Sequence, residues 1–144
     1  MDIFLDTNIV LYAFGKDEFK RQIALGLLAQ YPTISTQVIN ECSHVMRRKL
    51  FWSPEKVSEE LEILLILVQL KTVDVQHIRS GWKIAARYGF SHFDSLMVAS
   101  ALDAGCLRLY SEDMQHGQMI EDRLQILTHF LRQPLHEIPN LSKL

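Results

Sequence analysis

Short β-forming runs alternate with longer segments of helical periodicity along this 144-residue chain, and that alternation constrains its fold more than any other feature. Parallel neighbours in a sheet need a crossover between them, and a helix supplies it, so the pattern predicts an α/β fold with a mostly parallel sheet. Strands are predicted at 3–5, 33–35, 72–75, 107–110 and 124–126, with helices near 8–14, 18–30, 37–50, 54–70, 76–88 and 92–104. Several boundaries carry a mechanism. Ser53-Pro54-Glu55 supplies an N-cap, a proline at the first helical position and an early acid, and Gly89 and Gly105 stand where helices end on a left-handed residue. No repeat, low-complexity tract or linker interrupts the pattern, and 48% hydrophobic residues suffice for one sizeable core, so a single domain over 1–144 is expected.

In open parallel sheets, ligands bind beyond the carboxyl ends of the strands, where strand order reverses. That directs attention to the residue after each apolar run. Asp6 follows Ile3-Phe4-Leu5 directly and precedes a helical pattern. It suits a helix cap equally well. Glu41 has Val38 three residues before it and Val45 four after, which puts it at the margin of an apolar helix face, where a merely solvated glutamate is also common. Asp94 is more informative, because Met97, Val98 and Ala101 follow at helical spacing and place its carboxylate within the apolar stripe of its own helix. Burial there would raise its pKa unless a cation kept it ionised. Ser91-His92-Phe93-Asp94 also matches a capping box. Asp113 follows Leu107-Arg108-Leu109-Tyr110 within Ser111-Glu112-Asp113, a stretch that alone reads as a turn.

Taken together, Asp6, Glu41, Asp94 and Asp113 are expected at one edge of the sheet. Clustered anions repel, so such a site calls for cations. Oxygen-only ligands suit Mg²⁺ or Mn²⁺ rather than Zn²⁺, and Mg²⁺ retains waters and binds phosphate, which fits phosphoryl chemistry. Two-metal sites of this type hold their ions ~3.5–4 Å apart.

Other chemistries find little support. Cys42 and Cys106 form no CxxC pair and read as small core residues, and the six His build no ligand motif, with His92 and His116, near the acidic motifs, suiting rim hydrogen bonding better than catalysis. The N-terminus has neither the basic start nor the apolar run of a signal peptide, and the longest apolar stretch, 63–68, is too short to span a bilayer. A soluble, cytoplasmic protein is expected, with no membrane partner. A net charge of −2 offers no general attraction for nucleic acid, so any contact with phosphate must be local. Arg79, Lys83 and Arg87 form one basic stripe and Arg47-Arg48-Lys49 a second, though solvated faces look the same. Trp52, Trp82 and the 61–70 run read as core or interface.

The motifs Phe4-Leu5-Asp6-Thr7-Asn8-Ile9-Val10, Ser35-Thr36-Gln37-Val38-Ile39-Asn40-Glu41, Phe93-Asp94-Ser95-Leu96-Met97-Val98-Ala99 and Leu109-Tyr110-Ser111-Glu112-Asp113 occur in that order. Together they resemble PIN-domain ribonucleases, specifically VapC-type toxins of bacterial toxin–antitoxin pairs, over residues 3 to about 127. The resemblance implies a three-layer α/β/α sandwich around a mostly parallel sheet of four to five strands. It implies Mg²⁺- or Mn²⁺-dependent endoribonuclease activity leaving 5′-phosphate and 3′-hydroxyl ends, a homodimer, and inhibition by a cognate antitoxin. Carried over by motif, Asp6, Glu41, Asp94 and Asp113 are the catalytic and metal-binding acids. Asp6 and Asp94 would hold metal directly, while Glu41 and Asp113 would act partly through water. Ser111 would support the site and Asn8 would hydrogen-bond at its rim, although Asn8 also suits a plain turn.

Two departures from the family pattern stand out. Glu112 beside Asp113 leaves two candidates for the fourth acid, and Leu127-Thr128-His129-Phe130 stands where many relatives carry Asn-Pro-Phe. Two other readings remain. One is a catalytically inactive PIN-fold module that binds RNA or protein. The other is an aspartyl-phosphate phosphatase or receiver-like protein, which also places an Asp after its first strand but needs a lysine after a later one.

Overall fold

A computed structural model describes residues 2–128 of the chain. The elements are β1 (Ile3–Leu5), α1 (Thr7–Tyr12), α2 (Glu18–Leu28), β2 (Thr33–Ser35), α3 (Thr36–Arg48), α4 (Pro54–Leu67), β3 (Gln69–Lys71), α5 (Val75–Tyr88), α6 (His92–Asp103), β4 (Arg108–Tyr110), β5 (Met119–Ile120) and β6 (Leu124–Leu127). They form one sheet in the order β3-β2-β1-β4-β6-β5. All pairings are parallel except β5 with β6. The crossovers β1 to β2 and β2 to β3 advance in one direction, and the crossover to β4 returns past β1. Right-handed connections therefore put α1 to α4 on one face of the sheet and α5 with α6 on the other. The packing agrees, since α1 touches α2 and α3, α3 touches α4, and α5 lies along α6. The result is the expected three-layer α/β/α sandwich.

β1 is central, with Ile3, Phe4 and Leu5 buried from both sides. Removing each of these side chains from water contributes roughly 1.5–3 kcal/mol. β6, nearer the edge, alternates buried Leu124 and Ile126 with half-buried Gln125 and Leu127. Within the second helical layer α5 and α6 approach closely at Gly81, where a Cβ would lie 3.3 Å from the Cα of Leu96.

The expected helix caps at Ser53, Pro54 and Glu55 are present. Gly89 closes α5 in the left-handed region at φ 75°. One strand was expected in the wrong place. The β-rich run at 72–75 is instead a connection into α5, because Asp74 caps that helix through Gln76 and His77 N–H. The third strand lies earlier, at Gln69–Lys71, pairing Gln69, Leu70 and Lys71 with Thr33, Ile34 and Ser35. α4 accordingly stops at Leu67, where Val68 turns extended. The sheet also has a sixth strand, the two-residue β5, which is too short to produce a period in sequence.

Cys42 and Cys106 are free and fully buried, as expected of core residues. Burial, with the nearby charges of Glu41 and Asp6, pushes the Cys42 thiol up to about 12 and leaves it inert. Trp82 is not a core residue, since it is 60% exposed. The 61–70 run divides, with Leu61, Leu64 and Val68 buried while Ile63, Ile66, Leu67 and Leu70 face outward. No helix among the described residues is long and apolar enough to cross a membrane. Of the segment Leu127-Thr128-His129-Phe130 that stands in place of Asn-Pro-Phe, His129 and Phe130 lie outside the described residues.

Candidate active site

β1 and β4 are the neighbours between which the strand order reverses. A pocket of about 760 Å³ opens beyond their carboxyl ends, and Asp6, Glu41, Asp94 and Asp113 all line it. The acids come from both helical layers and from the sheet between them.

Asp6 follows β1, and its backbone N–H donates to the carbonyl of Tyr110 on β4 at 3.0 Å. Its Oδ1 accepts from the Thr7 N–H at 2.6 Å, and its Oδ2 accepts from the Ser111 hydroxyl at 2.9 Å. The helix-cap role and the pocket role therefore coexist. Burial raises the Asp6 carboxyl to about 6, and the negative charges of Asp94 and Glu41 add to the rise. The two hydrogen bonds oppose it. Ser111, fully buried after β4, donates its hydroxyl to this carboxylate and to no other pocket residue among the described ones.

Glu41 is no solvated flank residue. Thr7 Oγ1 donates to its Oε2 at 2.5 Å and Gln37 Nε2 donates to its Oε1 at 2.7 Å, so both oxygens are held. Gln37 lies one turn earlier on α3, and Thr7 opens α1. Neither residue was singled out from sequence. The spacing of four between Gln37 and Glu41 was a usable signal, whereas the Thr7 contact spans the fold.

Asp94 sits in the first turn of α6, where its N–H donates to Ser91 Oγ at 3.2 Å. Only this half of the expected capping box forms. The Asp94 carboxylate accepts no hydrogen bond from the described residues and faces the pocket half-buried. The fully buried stretch of α6 starts one residue later, at Ser95. Asp6, just outside β1, is the pocket acid whose carboxyl burial raises.

The fourth strand also separates the two neighbouring acids. Glu112 accepts from the Tyr12 hydroxyl and stands 3.8 Å from Lys20 Nζ, turned from the pocket that Asp113 lines. Burial, then Glu112, drives the Tyr12 phenol above its ordinary range. Asn8 is exposed and lines the pocket. His116 accepts the Thr128 N–H at 3.0 Å, and His92 packs edge-on against Phe93.

Among the described residues no three His, Cys, Asp or Glu side chains converge tightly enough to hold a metal ion on their own. The donor set nonetheless fits a hard cation. It is made of oxygens alone, its most buried acid is raised partly by neighbouring anions, and Mg²⁺ takes only one or two carboxylates directly while keeping waters. Asp6 and Asp94 are the pair that would hold it. No lysine lines the pocket among the described residues, so the aspartyl-phosphate reading lacks a group it needs.

The PIN domain family model matches residues 3–119. No curated protein matches the chain by sequence. Three solved structures have a similar fold. VapC20 of Mycobacterium tuberculosis, a sarcin-ricin loop cleaving toxin, superposes with a TM-score of 0.61 at 17% identity, over 77% of this chain and 89% of its own. A toxin–antitoxin complex from Klebsiella pneumoniae reaches 0.68 at 15% identity, over 89% of this chain and 98% of its own. VapBC2 from Rickettsia felis, bound to a DNA fragment from its promoter, reaches 0.64 at 22% identity over the same shares, 89% and 98%.

Proposed function

This chain belongs to the PIN domain family, and on that premise we propose that it is a metal-dependent endoribonuclease acting as the toxin of a type II toxin–antitoxin pair. The observation that carries the reading is the meeting of Asp6, Glu41, Asp94 and Asp113 in one pocket at the switch point of the sheet. All 144 residues are read as one nuclease domain, working in the cytoplasm.

Mg²⁺ or Mn²⁺, when bound, supplies a Lewis acid for the phosphate and lowers the pKa of water. Asp6 and Asp94 would hold that ion, Asp6 from a position fixed by Thr7 N–H and Ser111 Oγ and Asp94 with a carboxylate that no other described group engages. Glu41, fixed at both oxygens, orients the water that attacks phosphorus. A bond from that water to phosphorus forms as the bond to the 3′-oxygen breaks, and the released proton ends on the 3′-oxygen. Asp113, exposed at the pocket mouth, adds negative charge that favours the cation. Exposed Ile63, Ile66 and Leu67 on α4, with Trp82 on α5, support association with protein partners, namely a second copy of the chain and a cognate antitoxin.

The test is incubation of the purified protein with RNA in Mg²⁺ or Mn²⁺, followed by end mapping. Cleavage that leaves 5′-phosphate and 3′-hydroxyl ends and stops with EDTA is expected. If the protein neither binds Mn²⁺ nor cuts RNA, the non-catalytic PIN-fold binding module takes its place.

A further inference from the structure

Phe93 is 61% exposed, yet it stands directly before Asp94 in the first turn of α6 and lines the acidic pocket. Among the described residues it is the only large exposed apolar side chain to do so. The edge-on contact with His92, at 5.1 Å between ring centroids and 70° between planes, limits the ring's orientations while leaving it open to solvent. Asn8 and Asn40 are exposed on the same pocket, and neither side-chain amide is hydrogen-bonded among the described residues.

The pocket has a second property that bears on its ligand. Its described lining includes no Lys or Arg. A phosphodiester brought to the carboxylates gains no side-chain cation there, so part of the affinity must come from the nucleoside. A flat apolar ring offers a stacking face to any base, and free amides match the donors and acceptors of base edges. Both surfaces require a base that is already unstacked, because a paired base in an A-form duplex presents neither its face nor its Watson–Crick edge.

On the nuclease reading above, we propose that Phe93 is the stacking platform for an unpaired base beside the scissile phosphate, with Asn8 and Asn40 at its edge. A protein partner is the less favoured occupant, because the exposed apolar residues of α4 lie outside this pocket and Phe93 is the one large exposed apolar side chain on it among the described residues.

The experiment compares the wild type with Phe93→Ala and Phe93→Trp in steady-state cleavage of a single-stranded RNA and of the same sequence in a duplex. Wild type should cut the single strand in strong preference to the duplex. Phe93→Ala should raise KM for the single strand about tenfold, the usual loss of one base–aromatic stack, with a smaller change in kcat. Phe93→Trp should restore KM. Wild-type cleavage accompanied by a Phe93→Ala KM within twofold overturns this inference and leaves the nuclease reading intact. An unchanged KM together with lost binding of a protein partner also overturns it and assigns the ring to that partner. Absence of cleavage by the wild type overturns the nuclease reading and this inference with it.

Discussion

Ser111 Oγ donates to Asp6 Oδ2 at 2.9 Å, joining the ends of the two strands between which the sheet order reverses. The bond favours the ionised carboxylate against the burial that raises it to about 6. Ser111→Ala should therefore move the acidic limb of the kcat/KM profile to higher pH and cost about 1 kcal/mol of stability. A pH–rate series with the variant beside the wild type checks the direction, and denaturant unfolding of the two checks the stability loss.

Asp6 has the opposite sign of linkage from a salt-bridged acid. Its folded pKa of about 6 lies above the ordinary value of 3.8, so the native state holds a proton that the unfolded chain has released. Stability then falls as pH rises from about 4 through about 6, and the penalty is fully in force above that. Asp6→Asn removes the charge, and the Ser111 hydroxyl can turn to accept from the new amide. The variant should melt higher than wild type at pH 7.5 and equally at pH 4, read by thermal denaturation at both values. Mn²⁺ should raise the melting temperature of the wild type more than that of the variant.

The clamp on Glu41 can be separated from its charge. Thr7 and Gln37 each hold one carboxylate oxygen, at 2.5 and 2.7 Å. Gln37→Leu keeps the helix and the acid while freeing Oε1. Cleavage should drop in kcat by about tenfold with KM little changed, the signature of a group that positions another. Measured kinetics in which only KM moves would assign Gln37 to substrate binding instead.

Arg48 lies seven residues beyond Glu41 and four beyond pocket-lining His44, and so continues the same side of α3 out into solvent. Arg87, by contrast, is already engaged by Glu121 at 2.9 Å, and Arg47 donates to the Trp52 carbonyl at 3.0 Å. Arg48→Glu should weaken RNA binding across sequences and lower the salt-dependence slope by about 1, with kcat unchanged. Binding titrations over a range of salt concentrations read this directly.

How much of this was legible in sequence follows from which contacts are local. Asp6 and Asp94 were placed by the apolar runs beside them, because a strand's end and a helix's stripe are short-range patterns. β3 was misplaced since an edge strand, pairing only with β2, needs no apolar run, whereas the β-rich residues 72–75 lead into a helix capped by Asp74. The choice between Glu112 and Asp113 turned on Tyr12 and Lys20, about a hundred residues away, and could not be read locally. Phe93 was visible only as part of a motif, because apolar residues default to the core and its exposure is a property of the folded pocket.

The most direct measurement is the cleavage rate of one labelled RNA in Mn²⁺ by wild type, Asp6→Asn and Asp94→Asn, each shown folded by circular dichroism. Both variants should lose at least about 100-fold in rate while their structures persist. Full activity in both would contradict the assignment of this pocket as the nuclease centre.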